Sequence, residues 1–164
     1  MKSIVIYEIC NILGWPGRQI TLRGADSVIA ENHRLPITGR ILIVEDFQPY
    51  RVFVAGLLHR KCELQGLAEA SEGLDAIEKA RQLQPLLVLI DVGLPDVSGI
   101  EAARRIRDAS PQSKIIFLTQ ETSLEVISEA VKLGSSGYVL KSEAETSLVP
   151  ALEAVLNGKQ FFSK

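Results

Sequence analysis

From residue 40 onward the chain repeats one unit five times: a short apolar run, then a stretch with helical spacing. The runs are Ile41-Leu42-Ile43-Val44, Leu64 to Ala68, Leu86-Leu87-Val88-Leu89-Ile90, Ile115-Ile116-Phe117-Leu118 and Tyr138-Val139-Leu140. Apolar runs of this length, without polar alternation, suit strands buried on both faces. The second run is the weakest. The third is the most apolar and is expected at the sheet centre. Helical spacing follows each run, over 49–60, Leu74 to Leu83, Ile100 to Arg107, Leu124 to Leu133 and Leu148 to Leu156. Val54, Leu57 and Leu58 share a face of the first helix, and Pro49 fits its first turn. Pro85 closes the second helix, Gly134 is placed to cap the fourth, and the last ends near Gly158.

Strands alternating with helices of this length predict an α/β fold: a doubly wound parallel sheet with helices on both faces. Hydrophobic residues are 46% of the chain and aromatics only 5%, so the core must be aliphatic. A length of 164 residues allows one domain and a surplus. The surplus is mostly N-terminal. Residues 1–39 hold Trp15, Pro16, Gly17, Gly24, Pro36 and Gly39 without a sustained period. They read as an extension, with a strand over 3–9 and loop elsewhere, or as the product of a misassigned start codon. A domain over 40–158 and a tail over 159–164 complete the expected organisation.

The charge balance excludes one function class. Eighteen basic residues against 20 acidic ones give a net charge of -2, whereas a dedicated nucleic-acid binder is basic. Arg104, Arg105 and Arg107 cluster, but Asp96, Glu101 and Asp108 flank them, as on a solvated face. Cys10 and Cys62 lie far apart with no CxxC pair, which argues against a disulfide framework or a zinc site. His33 and His59 are isolated. No apolar run nears the roughly 18 residues of a membrane span. Glu8 interrupts the apolar start, and no small-residue cleavage site follows. A cytoplasmic protein is expected, with neither membrane nor direct nucleic-acid contact.

A parallel sheet binds ligands beyond the carboxyl ends of its strands. There the sequence places Glu45-Asp46 after strand one, Asp91 after strand three, Thr119 after strand four and Lys141 after strand five. A lone Asp at such a place is often a helix cap. Three carboxylates with a hydroxyl and an ammonium are a different matter. Three carboxylates together raise one another's pKa, and a divalent cation relieves the repulsion. Hard oxygen ligands with room for water suit Mg²⁺. Such a metal could draw in a phosphoryl group for attack by Asp91. Lys141 would add positive charge, and Thr119 a hydrogen bond.

These residues also carry a family resemblance. Ile41 to Asp46, Leu87-Val88-Leu89-Ile90-Asp91-Val92-Gly93-Leu94-Pro95-Asp96-Val97-Ser98-Gly99-Ile100-Glu101, Phe117-Leu118-Thr119 and Gly137-Tyr138-Val139-Leu140-Lys141 resemble the receiver domain of two-component response regulators. The resemblance spans 40–158 and implies a CheY-like, flavodoxin-like sheet of five strands in the order 2-1-3-4-5. It implies Asp91 as phosphoacceptor, Asp46 as a direct Mg²⁺ ligand, Glu45 as a ligand through water and Gly93 as a carbonyl ligand. Thr119 and Lys141 would contact the phosphoryl group. Tyr138 would be a switch aromatic, responding to Thr119 from an edge strand.

Two departures stand out. Ser142 follows Lys141 where many receivers carry Pro, and Gln120 is larger than the residue usual after the Thr. Leu140-Lys141-Ser142-Glu143 and Gly158-Lys159 are most similar to the LuxR/NarL-type subfamily, here read to Lys164 without its helix-turn-helix. The implied partners are a sensor histidine kinase or phosphotransfer protein, an unknown downstream protein, and a second copy of the chain. The expected role is a switch rather than an enzyme. One rival is a degenerate, phosphorylation-independent receiver acting as a binding module. Another is a haloacid-dehalogenase-like phosphatase, which would need a second Asp where Gly93 stands.

Overall fold

The computed structural model describes residues 34–163. The expected strand over 3–9, Cys10, Trp15 and His33 lie outside them. In chain order the elements are β1 (Leu35–Val44), α1 (Gln48–Lys61), β2 (Cys62–Ala70), α2 (Gly73–Leu83), β3 (Leu87–Ile90) and α3 (Gly99–Ala109). Then come β4 (Lys114–Thr119), α4 (Leu124–Lys132), β5 (Gly137–Leu140), a 3-10 turn (Lys141–Glu143), α5 (Ala144–Leu156) and β6 (Phe161–Phe162). The sheet order is β2-β1-β3-β4-β5-β6, and every pair is parallel. The chain winds outward from β1 to β2, then crosses to β3 on the other side. The strand order therefore reverses between β1 and β3, which sets the ligand crevice there.

Each central strand feeds two cores, because successive side chains point to opposite faces. Ile41, Ile43, Leu87, Leu89 and Val139 pack against Val54, Leu57 and Leu58 of α1 and Leu148, Leu152 and Val155 of α5. Leu42, Val44, Val88, Ile90 and Phe117 pack against Ala76 and Ala80 of α2, Ile106 of α3 and Ala130 of α4. Complete burial of an Ile or Leu contributes roughly 1.5–3 kcal/mol, so the aliphatic strands supply most of the driving force. Among the described residues, no helix is long and apolar enough to cross a membrane.

The sheet has six strands rather than five. Beyond β5, Phe161 and Phe162 pair with Gly137 and Tyr138, so β5 is not an edge and part of the expected tail is strand. A strand this short has no sequence signature of its own; its pairing with β5 creates it. Strand β1 also begins at Leu35, ahead of Ile41. Pro36 and Gly39 read as loop, yet Leu35, Pro36 and Ile37 pair with Cys62, Glu63 and Leu64 across a register shift. Arg34 Nη2 donates to the carbonyls of His59 and Cys62, closing the end of α1. Helix α5 starts at Ala144, before the periodic stretch, and keeps Pro150 inside it on an exposed face.

Candidate functional site

The parallel register brings the predicted residues to one edge. Val44 is level with Ile90, Ile90 with Phe117, and Thr119 with Leu140. The residues that follow these positions meet in a cleft of about 360 Å³ lined by Glu45, Asp46, Asp91, Gly93, Thr119 and Lys141, with Phe47, Tyr50, Gln120 and Glu121.

Glu45, Asp91 and Thr119 are buried, while Asp46 and Gly93 are exposed at the mouth. One carboxylate oxygen from each of Glu45, Asp46 and Asp91 lies within 4.8 Å of the others. Lys141 Nζ crosses from the end of β5 to Glu45 Oε2 at 2.6 Å and to Asp91 Oδ2 at 2.8 Å. This ammonium offsets repulsion between two buried acids, which otherwise carries a high desolvation cost. The donor set fits a hard divalent cation: carboxylate oxygens, an exposed Asp46 and an opening to water. Glu45 and Asp46 would hold it with Asp91 and the Gly93 carbonyl.

Electrostatics follow from the geometry. Burial pushes the Glu45 carboxyl up, and Lys141 and the Phe47 amide only partly offset it. Burial alone would pull Lys141 down, but its hydrogen bonds to Asp91 and Glu45 hold it above the ordinary lysine value. The Tyr50 phenol is raised by burial and by the charges of Glu45 and Asp91.

The second half of the site lies beyond β4. Thr119 Oγ1 accepts from the Glu121 amide at 3.2 Å. Tyr138 is buried and its hydroxyl donates to the Glu121 carbonyl at 2.7 Å. Glu121 therefore joins the predicted hydroxyl to the predicted switch aromatic. Burial, and then the Glu121 charge, push the Tyr138 phenol up to about 12, so it remains a donor across the physiological range.

All the predicted strand-end residues converge, and the Arg104 and Arg105 pair falls on Glu101 as a solvated network. Sequence reading missed the support around them. Tyr50 places its ring 5.0 Å from Lys141 Nζ and donates its hydroxyl to the Lys141 carbonyl at 3.2 Å. Arg51 Nη1 donates to the Glu45 carbonyl at 2.5 Å, and Phe47 N to Glu45 Oε1 at 3.1 Å. The available signal was position: all three lie within or just before the first turn of the helix that leaves Glu45-Asp46.

Fold and site together define a signalling module of the receiver type, and comparison with known proteins agrees. The chain belongs to the response regulator receiver domain family, whose pattern matches residues 41–153. It is 35% identical over 119 residues to the transcriptional regulatory protein LnrK of Bacillus subtilis, covering 73% of this chain and 54% of that protein. It is 33% identical over 136 residues to the transcriptional regulatory protein MctR of Rhizobium johnstonii, covering 83% and 57%. The chain thus spans little more than half the length of these relatives. Among solved structures, a LuxR-family two-component response regulator from Aurantimonas sp. superposes with a TM-score of 0.71 at 34% identity, over 76% of this chain and 89% of that one. The isolated receiver domain of RcsB from Salmonella enterica, solved with a beryllofluoride phosphomimetic, shares the fold at a TM-score of 0.69, over 77% and 94% of the two chains; at 24% identity it speaks for the fold alone.

Proposed function

We propose that this receiver domain is a Mg²⁺-dependent switch that takes a phosphoryl group from a sensor histidine kinase or phosphotransfer protein onto Asp91. The observation that carries the reading is the Lys141 ammonium bridging Glu45 and Asp91 beside Asp46. When bound, Mg²⁺ supplies charge neutralisation for the incoming phosphoryl oxygens. Asp91 forms the new P–O bond while the bond from phosphorus to the donor's histidine nitrogen breaks, its electron pair staying on the ring. Lys141 pairs with the product, and Thr119 offers its hydroxyl. Asp46, Asp91 and the Gly93 carbonyl would hold the cation, and Glu45 would act through water.

The switch follows from Thr119. Drawn toward the phosphoryl group, it releases the Glu121 amide, and Tyr138 follows through the Glu121 carbonyl. The surface of α4, β5 and α5 then changes, for a downstream protein or a second copy of the chain. We class the domain as a cytoplasmic switch rather than an enzyme. Its division into an extension over 1–39, a receiver over 40–158 and a tail is part of this proposal. Strand β1 and strand β6 carry the same sheet beyond both boundaries.

Beryllofluoride with Mg²⁺ is the test. Amide resonances around Asp91, Thr119 and Tyr138 should shift in the parent and stay still in Asp91→Asn. No shift in the parent, or the same shift in both, refutes the switch.

A further inference from the structure

We propose that Asp96 is a positioning residue that holds the Gly93 loop in place for the divalent cation, an inference that rests on the reading of the site given above. The loop leaves β3 at Asp91 and enters α3 at Gly99. Those two ends are fixed. Gly99 N donates to the Val92 carbonyl at 2.7 Å, and a Cβ on Gly99 would lie 1.8 Å from the Asp91 carbonyl oxygen. Between them the chain swings out through Gly93, and Gly93 to Val97 make no backbone–backbone hydrogen bond among the described residues. Among the described residues, one side chain ties this stretch to the rest of the fold. Asp96 Oδ1 accepts from Gly73 N and Oδ2 from Leu74 N, each at 2.8 Å.

The partner end is built for that tie. Helix α2 starts at Gly73, and its own N-cap residue, Glu72, offers no side-chain bond. The first amides of a helix need an acceptor, and Asp96 supplies it from the other loop. Glycine at 73 keeps the two segments close, since a Cβ there would lie 2.5 Å from Val97 Cγ2. Burial alone would raise the Asp96 carboxyl, but the amides of Leu74, Gly73, Val97 and Asp96 itself together hold it down at about 2, so the tie persists across the working pH range. A metal ligand on an untied loop must be ordered when the cation binds, which weakens binding.

The test titrates Mg²⁺ alone into the full chain by calorimetry and follows hydrogen exchange at Gly99 without metal. Asp96→Ala should raise the Mg²⁺ dissociation constant roughly tenfold, the lower end of effects seen when a ligand loses its support. It should also speed Gly99 exchange. Asp96→Asn, which still offers one oxygen, should recover part of both. Asp96→Ser, too short for both amides, replaces the alanine variant if that one does not fold. Ile106→Val, a buried change in α3, should lower the melting temperature and leave the Mg²⁺ constant alone. An Asp96→Ala or Asp96→Ser protein that melts earlier yet binds Mg²⁺ like the parent makes Asp96 a helix cap only and overturns the proposal. A flat titration of the parent is a different result: it removes the cation site itself, and this role of Asp96 with it.

Discussion

The two loops flanking Asp91 differ in how they are held. The β3–α3 loop is clamped: Gly99 packs on the Asp91 carbonyl, Ser98 Oγ accepts from Glu101 N at 3.2 Å, and Asp96 ties the tip to α2. The β4–α4 loop, Gln120 to Ser123, is held lightly. Among the described residues its ties are the Thr119–Glu121 bond, the Tyr138–Glu121 bond, the Ser123 cap on Val126 N and the helical bond from Ile127 N to the Ser123 carbonyl. Leu124, which opens α4, is 82% exposed. This asymmetry suits the switch proposed above. Under the proposed function, Asp91 and the carboxylates beside it would be in place before a phosphoryl group arrives, and the reporting segment would be cheap to move.

The largest test breaks the clamped side. Gly99→Ala forces a Cβ against the Asp91 backbone, where no flexible side chain can yield. It should cost at least about 3 kcal/mol in urea unfolding, the upper end for overpacking; a loss under about 1 kcal/mol would show that the clamp is slack. The next acts on the light side. Tyr138→Phe leaves the Glu121 carbonyl without its phenol donor and should cost about 1 kcal/mol. Exchange should speed at Glu121 and Val126, whose amides the loop side chains hold, while Gly99 stays protected; equal acceleration at both loops would erase the distinction. Thr119→Val should have a smaller effect on stability, of roughly 0.5 kcal/mol. Its Mg²⁺ affinity should match the parent, whereas the beryllofluoride shift at Tyr138 should vanish.

The smallest effect is one of pH. The Asp96 carboxyl falls from an ordinary 3.8 to about 2 on folding. A depressed carboxyl stabilises the fold above its unfolded value, and that stabilisation is lost as pH falls through the folded value. The melting-temperature gap between the parent and Asp96→Asn should hold steady from pH 8 to 5. It should then narrow between about 4 and 2. A gap that widens on acidification would mean the carboxylate is not the tie.

Much of this molecule was legible in the residue order. The apolar runs named the strands, and the residues just past them named the site, because a parallel sheet places every strand end on one edge. Other features were not legible. Asp96 read as one acid among several near the arginines, yet its partners are Gly73 and Leu74 on another helix. Gln84 takes the left-handed conformation, φ 44°, to end α2 before Pro85. Tyr138 was expected on an edge strand, and β6 covers it.

The division has a physical cause. Period, apolarity and the identity of the residue after each strand are local properties, so the sequence alone determined the α/β class, the acidic edge and the residues that meet there. Which amide an exposed carboxylate finds depends on how two loops are brought together. Whether a pair of phenylalanines is a strand depends on a neighbour offering its hydrogen bonds. Which loop is tight and which is free depends on the space left around one glycine. Those are non-local facts, and only the packed structure decided them.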